Sequence, residues 1–146
     1  MWHGLRGRIG LMLAVTAALI ALLAAAAWVR AAALPELANH YEFALPGSAG
    51  LPFRVSYAGR HYENTATCAG AGWCRQARAN RQTCWSAGEL SALGRLPAPR
   101  ADSIPTLLGA SHALLADPVA DGRVPTGVVV TNGDDCYVPY TLEGGP

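Results

Sequence analysis

The chain has 146 residues, 51% apolar and only 14% charged, against about 25% charged in ordinary soluble domains, so part of it is not built as a soluble surface. All eleven basic residues are arginine, and without lysine there can be no P-loop lysine, Schiff-base lysine or Ser-Lys dyad. The net charge of +1 divides unevenly: Arg6, Arg8 and Arg30 stand without an acid in residues 1–30, whereas residues 31–146 carry 8 arginines against 10 acids, which excludes a general nucleic-acid binder.

Residues 1–8 read as a short basic stub on the cytoplasmic side. Residues 9–29, IGLMLAVTAALIALLAAAAWV, run without a charge, and a helix of that length spans about 31 Å, close to the hydrocarbon thickness of a bilayer. Arg6 and Arg8 precede it, and Glu36 and Glu42 follow. The basic bias places the N-terminus in the cytoplasm and the rest outside. Trp2 and Trp28 lie near the two ends, where an indole buries its ring and keeps its N–H wet. The alternative is a cleaved signal peptide, with Leu11–Leu23 as its apolar core and cleavage among Ala24–Ala27 or Ala31–Ala33, which would release a secreted domain. The run exceeds a usual signal core and ends in Trp-Val-Arg, which favours an uncleaved anchor. Heavy use of Ala, 28 residues, with no Lys is the bias of a GC-rich coding sequence and points to a bacterium, hence to a single-pass protein of the bacterial cytoplasmic membrane.

Residues 30–50 contain Pro35 and Pro46 and end in Gly-Ser-Ala-Gly, a composition that breaks regular structure and reads as an extracytoplasmic tether. A small domain of residues 51–146 follows. Phe53, Val55 and Tyr57 alternate with polar neighbours, which predicts a strand, and Ala58-Gly59 turns it into a second strand over Arg60–Glu63. The next stretch holds three of the four cysteines and Arg75, Arg78 and Arg81. At that spacing a helix presents the three arginines on one side, as a contact for lipid phosphate, an anionic wall polymer or an acidic partner, or simply as a solvated face. Ser86-Ala-Gly-Glu89 has the form of a capping box, with Leu90 and Leu93 three apart and Gly94 placed to stop a two-turn helix. Residues 95–126 contain five prolines, which rules out a long helix, and Ile104–Leu108 reads as a strand. Finally, GVVVTNGDDCYVPYTL predicts a hairpin about a type I′ Asn132-Gly133 turn, with Pro139 marking an open edge or a strand end. The expected fold is a disulfide-bonded α+β or mainly β extracytoplasmic domain behind one N-terminal transmembrane helix.

Cys68, Cys74, Cys84 and Cys136 form an even set in a small exported domain, so two disulfides are expected. Of the three connectivities we take Cys68–Cys74, close in sequence, and Cys84–Cys136, which would tie the helix region to the C-terminal hairpin. No C-x2-C pair occurs, so no metal site and no thioredoxin-type centre is expected; nor is any cofactor. Cys84-Trp85 with His112 downstream is a conceivable nucleophile and base, but the flanking RQTCWSAG lacks the rest of a cysteine-protease signature. Gly109-Ala-Ser-His-Ala113 lacks the last glycine of a nucleophile elbow, leaving Ser111 and His112 as loop residues. Asp134 with Asp135, and Asp117 with Asp121, read as turn and loop acids. The functional expectation is a membrane-anchored binding or accessory module of a bacterial envelope, touching lipid through residues 9–29 and an envelope protein through its domain, with no nucleic acid. The alternative is a small hydrolase using Cys84 and His112 or a pair of loop carboxylates.

Overall fold

The computed structural model describes residues 3–47, 50–64, 66–74, 84–120 and 122–144, with the backbone alone for 3–10 and 74. The chain divides into two compact units, residues 1–34 and 35–146.

The first unit is helix α1 (His3–Trp28), followed by a π-helical turn at Val29–Ala33. Its 26 residues extend about 39 Å at 1.5 Å per residue. Leu11, Leu13, Ile20, Leu22 and Leu23 are all exposed. A helix that is apolar all round has no solvated face to offer water, and this one is long and apolar enough to cross a membrane.

The second unit opens at Pro35, the second residue of α2 (Leu34–His40), in which Pro35 and Ala38 are buried. Part of the segment expected as a tether is therefore folded. Asn39 fixes it: its side-chain amide donates to the carbonyls of Pro35 (2.7 Å) and Cys68 (2.8 Å), and its Oδ1 accepts from Phe53 N–H (2.7 Å). Ala44 then bridges to the segment after the third strand, its N–H donating to Pro105 O (2.8 Å) and its carbonyl accepting from Leu107 N–H (3.1 Å). Prolines mark breaks in regular structure; they do not prevent a segment from packing.

The strands are β1 (Arg54–Tyr57), β2 (Arg60–Glu63), β3 (Arg100–Ile104), β4 (His112–Leu115), β5 (Gly127–Thr131) and β6 (Tyr137–Leu142). They form one curled antiparallel sheet in the order β1-β2-β6-β5-β4-β3. Side chains alternate across a strand, so Val128 and Val130 face the core with Val138, Tyr140, Leu114, Val55 and Tyr62, while Gly127 and Val129 face the other way. Leu51 and Ala44 close the core. Tyr140 carries its hydroxyl into it and donates to Pro52 O (2.7 Å), with Thr67 Oγ1 at 3.2 Å. Burial pushes its phenol pKa above the ordinary 10.0, because a phenolate there would lose its hydration.

Several expectations shift in instructive ways. Both central residues of the Ala58-Gly59 turn have positive φ (51° and 74°), so the type I′ signature lies in this hairpin, whose last pair is Tyr57↔Arg60. The β5–β6 loop is longer than a two-residue turn: its last pair is Thr131↔Tyr137, positive φ falls on Gly133 and Asp135, and Asn132 N–H donates to Cys136 O (2.7 Å). Asp135 Oδ1 accepts from Ala87 N–H (2.9 Å), and that tertiary tie holds the longer loop. Pro139 lies on the central strand β6, not at an edge. It fits because β2 ends at Glu63 and Trp85 takes over that side of β6 at Tyr137. Between the two, the Pro139 carbonyl accepts from the Asn64 side-chain amide, and no ladder donor is required of the imide nitrogen. The strand expected over Ile104–Leu108 runs instead over Arg100–Ile104, and His112, expected in a loop, begins β4.

The helix predicted from the capping box is α3 (Ala87–Ala92). Ser86 Oγ accepts from Glu89 N–H (3.3 Å), and Glu89 Oε2 accepts from Ser86 N–H (2.7 Å). The helix stops at Gly94, whose φ of 67° is costly for a residue with a β-carbon. Cys84 and Cys136 form a disulfide, which with the Trp85–Tyr137 bridge pins this segment to the start of β6.

Candidate functional site

The site grows out of the end of α3. Gly94 N–H donates to Ser91 O (3.0 Å) and Arg95 N–H to Leu90 O (2.9 Å), the paired bonds of a Schellman motif. That reversal directs the chain across the outer face of the sheet and sets Arg95, half-buried, over β5. A β-carbon built at Gly127 would collide with Arg95 Nη1 and would lie 2.9 Å from Tyr140 O. The guanidinium therefore occupies space that only glycine leaves free at that position.

Around Arg95 is a cleft of about 280 Å³. Leu93, Leu115, Asp117, Thr126 and Val129 are among the residues that line it, its accessible surface is mostly polar, and Val129 is buried. Leu115 and Val129 are a cross-strand pair of β4 and β5, so this wall is built on the sheet itself. Among the described residues no carboxylate comes within 4.0 Å of the Arg95 guanidinium, whereas Arg54, on the outer face of β1, is paired with Glu63 (3.4 Å) and Glu143 (3.6 Å). The Arg95 guanidinium thus lies at a mostly polar cleft that also carries Asp117, with no ion pair formed between them.

A second polar constellation lies on the β1–β2 hairpin. Ser56 Oγ donates to Glu42 Oε1 (3.0 Å) and lies 2.9 Å from His61 Nδ1, and Glu42 Oε1 is 3.5 Å from the same Nδ1. Serine, histidine and acid thus meet, but in the wrong order for nucleophilic catalysis. A triad uses one imidazole nitrogen for the hydroxyl and the other for the acid, whereas here both partners address Nδ1. Ser56 and His61 are a cross-strand pair, and the cluster ties the segment after α2 to the hairpin.

The residues singled out from sequence fall in different places. Arg75, Arg78 and Arg81 lie outside the described residues, as does Asp121. The expected Cys68–Cys74 pair involves a side chain outside them. Cys84 is bonded to Cys136, so it cannot serve as a nucleophile while that bond stands. His112 donates its Nδ1–H to Thr131 O (2.7 Å) within the β4–β5 register, and Ser111 is an exposed residue before β4. Asp134 is exposed in the β5–β6 loop and Asp135 is engaged by Ala87, so the adjacent acids do not form a catalytic pair. Among the described residues no group of three His, Cys, Asp or Glu side chains is arranged to hold a metal.

Sequence reasoning passed over Arg95 and Gly127. The available hint was a glycine heading a β-branched run, a position that marks close approach of another group to the backbone. Against protein-family models, curated proteins and solved structures, the chain finds no match.

Proposed function

We propose that the chain is a membrane-anchored extracytoplasmic binding or accessory module of a bacterial envelope. The observation that carries this reading is the combination of an apolar helix of membrane-spanning length with a small sheet domain cross-linked by Cys84–Cys136. Disulfides persist in oxidising compartments and are rare in the cytosol, so the bond supports a domain outside the membrane. Arg6 and Arg8 before the helix support the same orientation through the positive-inside rule.

The test is topological. In spheroplasts expressing the full chain with an N-terminal tag, protease added from outside should digest the sheet domain and leave the tag with the helix protected. A domain protected from external protease would overturn the reading. The partner surface at Arg75, Arg78 and Arg81 belongs to the same proposal: changing all three to Gln should abolish partner capture with the fold intact, and unchanged capture would remove that surface from the account.

A further inference from the structure

We propose that the end of the sheet at which the chain enters the domain rests on the bilayer surface, with Tyr41 and the Leu107-Leu108 tip inserted among the headgroups of zwitterionic phospholipid. This deepens the reading of the chain as a membrane-anchored module and rests on it.

The strand order fixes which side chains share that end. Neighbours in an antiparallel sheet alternate in direction, so the order β1-β2-β6-β5-β4-β3 puts the starts of β1, β6 and β4 together with the ends of β2, β5 and β3. α2 is tied to this end by Asn39, which accepts from Phe53 N–H just before β1, and Trp73 meets Phe53 edge-on with ring centroids 5.5 Å apart. Ala44, shortly after Tyr41, bridges to Thr106 just after β3, so the β3–β4 loop with Leu107 and Leu108 is at the same end. Beyond α1 and the π-helical turn, the described residues expose seven large hydrophobic side chains. Five of them, Leu37, Tyr41, Trp73, Leu107 and Leu108, are at this end, and Leu93 and Val119 are at the other.

Apolar side chains gathered on one part of a surface mark contact with a membrane or another protein, and the place of this cluster in the chain selects the membrane. Val29 ends the charge-free run and Leu37 follows eight residues later, about 12 Å in a helix, against a headgroup layer of about 5–8 Å. Chain connection therefore keeps this end within reach of the membrane surface, where tyrosine and tryptophan are favoured because the ring is buried and the polar group stays wet. Leu108 is 74% exposed and Tyr41 66%, so the core claims neither. A cleft of about 400 Å³ lined by Leu45, Pro46, Leu108 and Ala110 opens beside the tip. Glu36 and Asp134 are exposed at the same end, so among the described residues no surplus of cations draws it to anionic lipid, and apolar insertion is what holds it.

Photolabelling of the full chain in phosphatidylcholine nanodiscs tests the proposal, with p-benzoylphenylalanine placed in turn at the positions of Leu108, Tyr41, Val119 and Ile20. Intact mass after irradiation reads the covalent lipid adducts. The expected yield at Leu108 and Tyr41 is at least tenfold above that at Val119, with Ile20 in α1 setting the yield of a lipid-facing position. Leu108 decides, because it lies 79 residues beyond Val29 and Tyr41 only 12. Adducts at Tyr41 with no more at Leu108 than at Val119 would overturn the proposal, as would chain-to-chain adducts at Leu108, which would assign the patch to a second copy. A second measurement leaves the chain unaltered and decides where a labelled variant fails to fold: a nitroxide on the lipid headgroup should broaden the methyl resonances of Leu107 and Leu108 at least threefold more than those of Val119, and equal broadening would overturn the proposal. The two readings fail separately. Adducts at Ile20 without adducts at Leu108 remove the docked end and leave the anchor, whereas no adduct at Ile20 removes the anchor and this proposal with it.

Discussion

Two arginines on the outer face of one sheet meet opposite fates. Arg54, on β1, lies between Glu63 and Glu143, next to the Ser56–His61–Glu42 cluster, so the β1–β2 side neutralises its own charges. Arg95, delivered by the end of α3, lies over Gly127 beside Leu115 and Val129, and among the described residues no acid meets it. Both sides rest on the same core of Val55, Tyr62, Leu114, Val128, Val130, Val138 and Tyr140. The inward side chains hold the sheet, one outer region pairs its arginine with acids, and the other leaves its arginine without a carboxylate in reach among the described residues.

The largest expected effect breaks this comparison on one side. Replacing Cys84 and Cys136 by Ser opens a 52-residue separation, which the loop-entropy model values at about 4 kcal/mol. Thermal unfolding of the full chain in micelles should show that loss. Hydrogen exchange should rise first around α3 and the β5–β6 loop, before β1 and β2; uniform exposure of all six strands would show that the two sides are not separable. Next is Tyr140→Phe, which removes a hydroxyl bonded to Pro52 and Thr67 and should cost about 1–2 kcal/mol. Its pH dependence has a definite sign. The folded-state pKa is raised above 10.0, so the neutral phenol's contribution is complete below pH 10 and is lost as pH rises towards the folded value. The wild-type chain should lose stability steeply above pH 10, and Tyr140→Phe less steeply, with Tyr62, also raised by burial, accounting for what slope remains. An unchanged slope would count against the buried phenol as the cause.

Smaller changes sharpen the contrast. Ala58 holds φ of 51°, a left-handed conformation that costs a residue with a β-carbon about 1 kcal/mol. Ala58→Gly should therefore stabilise the β1–β2 side by up to about 0.5–1 kcal/mol, read as a rise in melting temperature. Smallest is the direct comparison of the arginines. Arg54→Gln should cost up to about 1 kcal/mol, as exposed ion pairs do, while Arg95→Gln should change stability by under about 0.5 kcal/mol, since no internal partner is lost. A larger loss at Arg95 than at Arg54 would show that Arg95 belongs to the scaffold.

Much of the scaffold was legible in local chemistry. The apolar run announced α1, Ser86, Glu89 and Gly94 announced both ends of α3, and the alternation around Val55 and the β-branched run at Val128–Val130 announced their hairpins. Local rules failed where long-range contacts decide. The folded α2 depends on Asn39 reaching Cys68 and Phe53; Pro139 is tolerated in a central strand because Asn64 and Trp85 take over its flank; the β5–β6 loop lengthens because Asp135 meets Ala87. The cleft was the least legible feature, since Arg95 and Gly127 are 32 positions apart and neither belongs to a motif. Cys84 shows the reverse case: sequence offered both a bridge and a nucleophile, and the structure holds the bridge to Cys136.

The most direct test of the central claim is the intact mass of the chain recovered from its host's membrane fraction, alkylated under denaturing conditions without reductant. The account of an anchored, disulfide-bonded module predicts a full-length mass carrying no alkylated cysteine. A chain shortened within its first 34 residues, or one with any thiol alkylated, would contradict it.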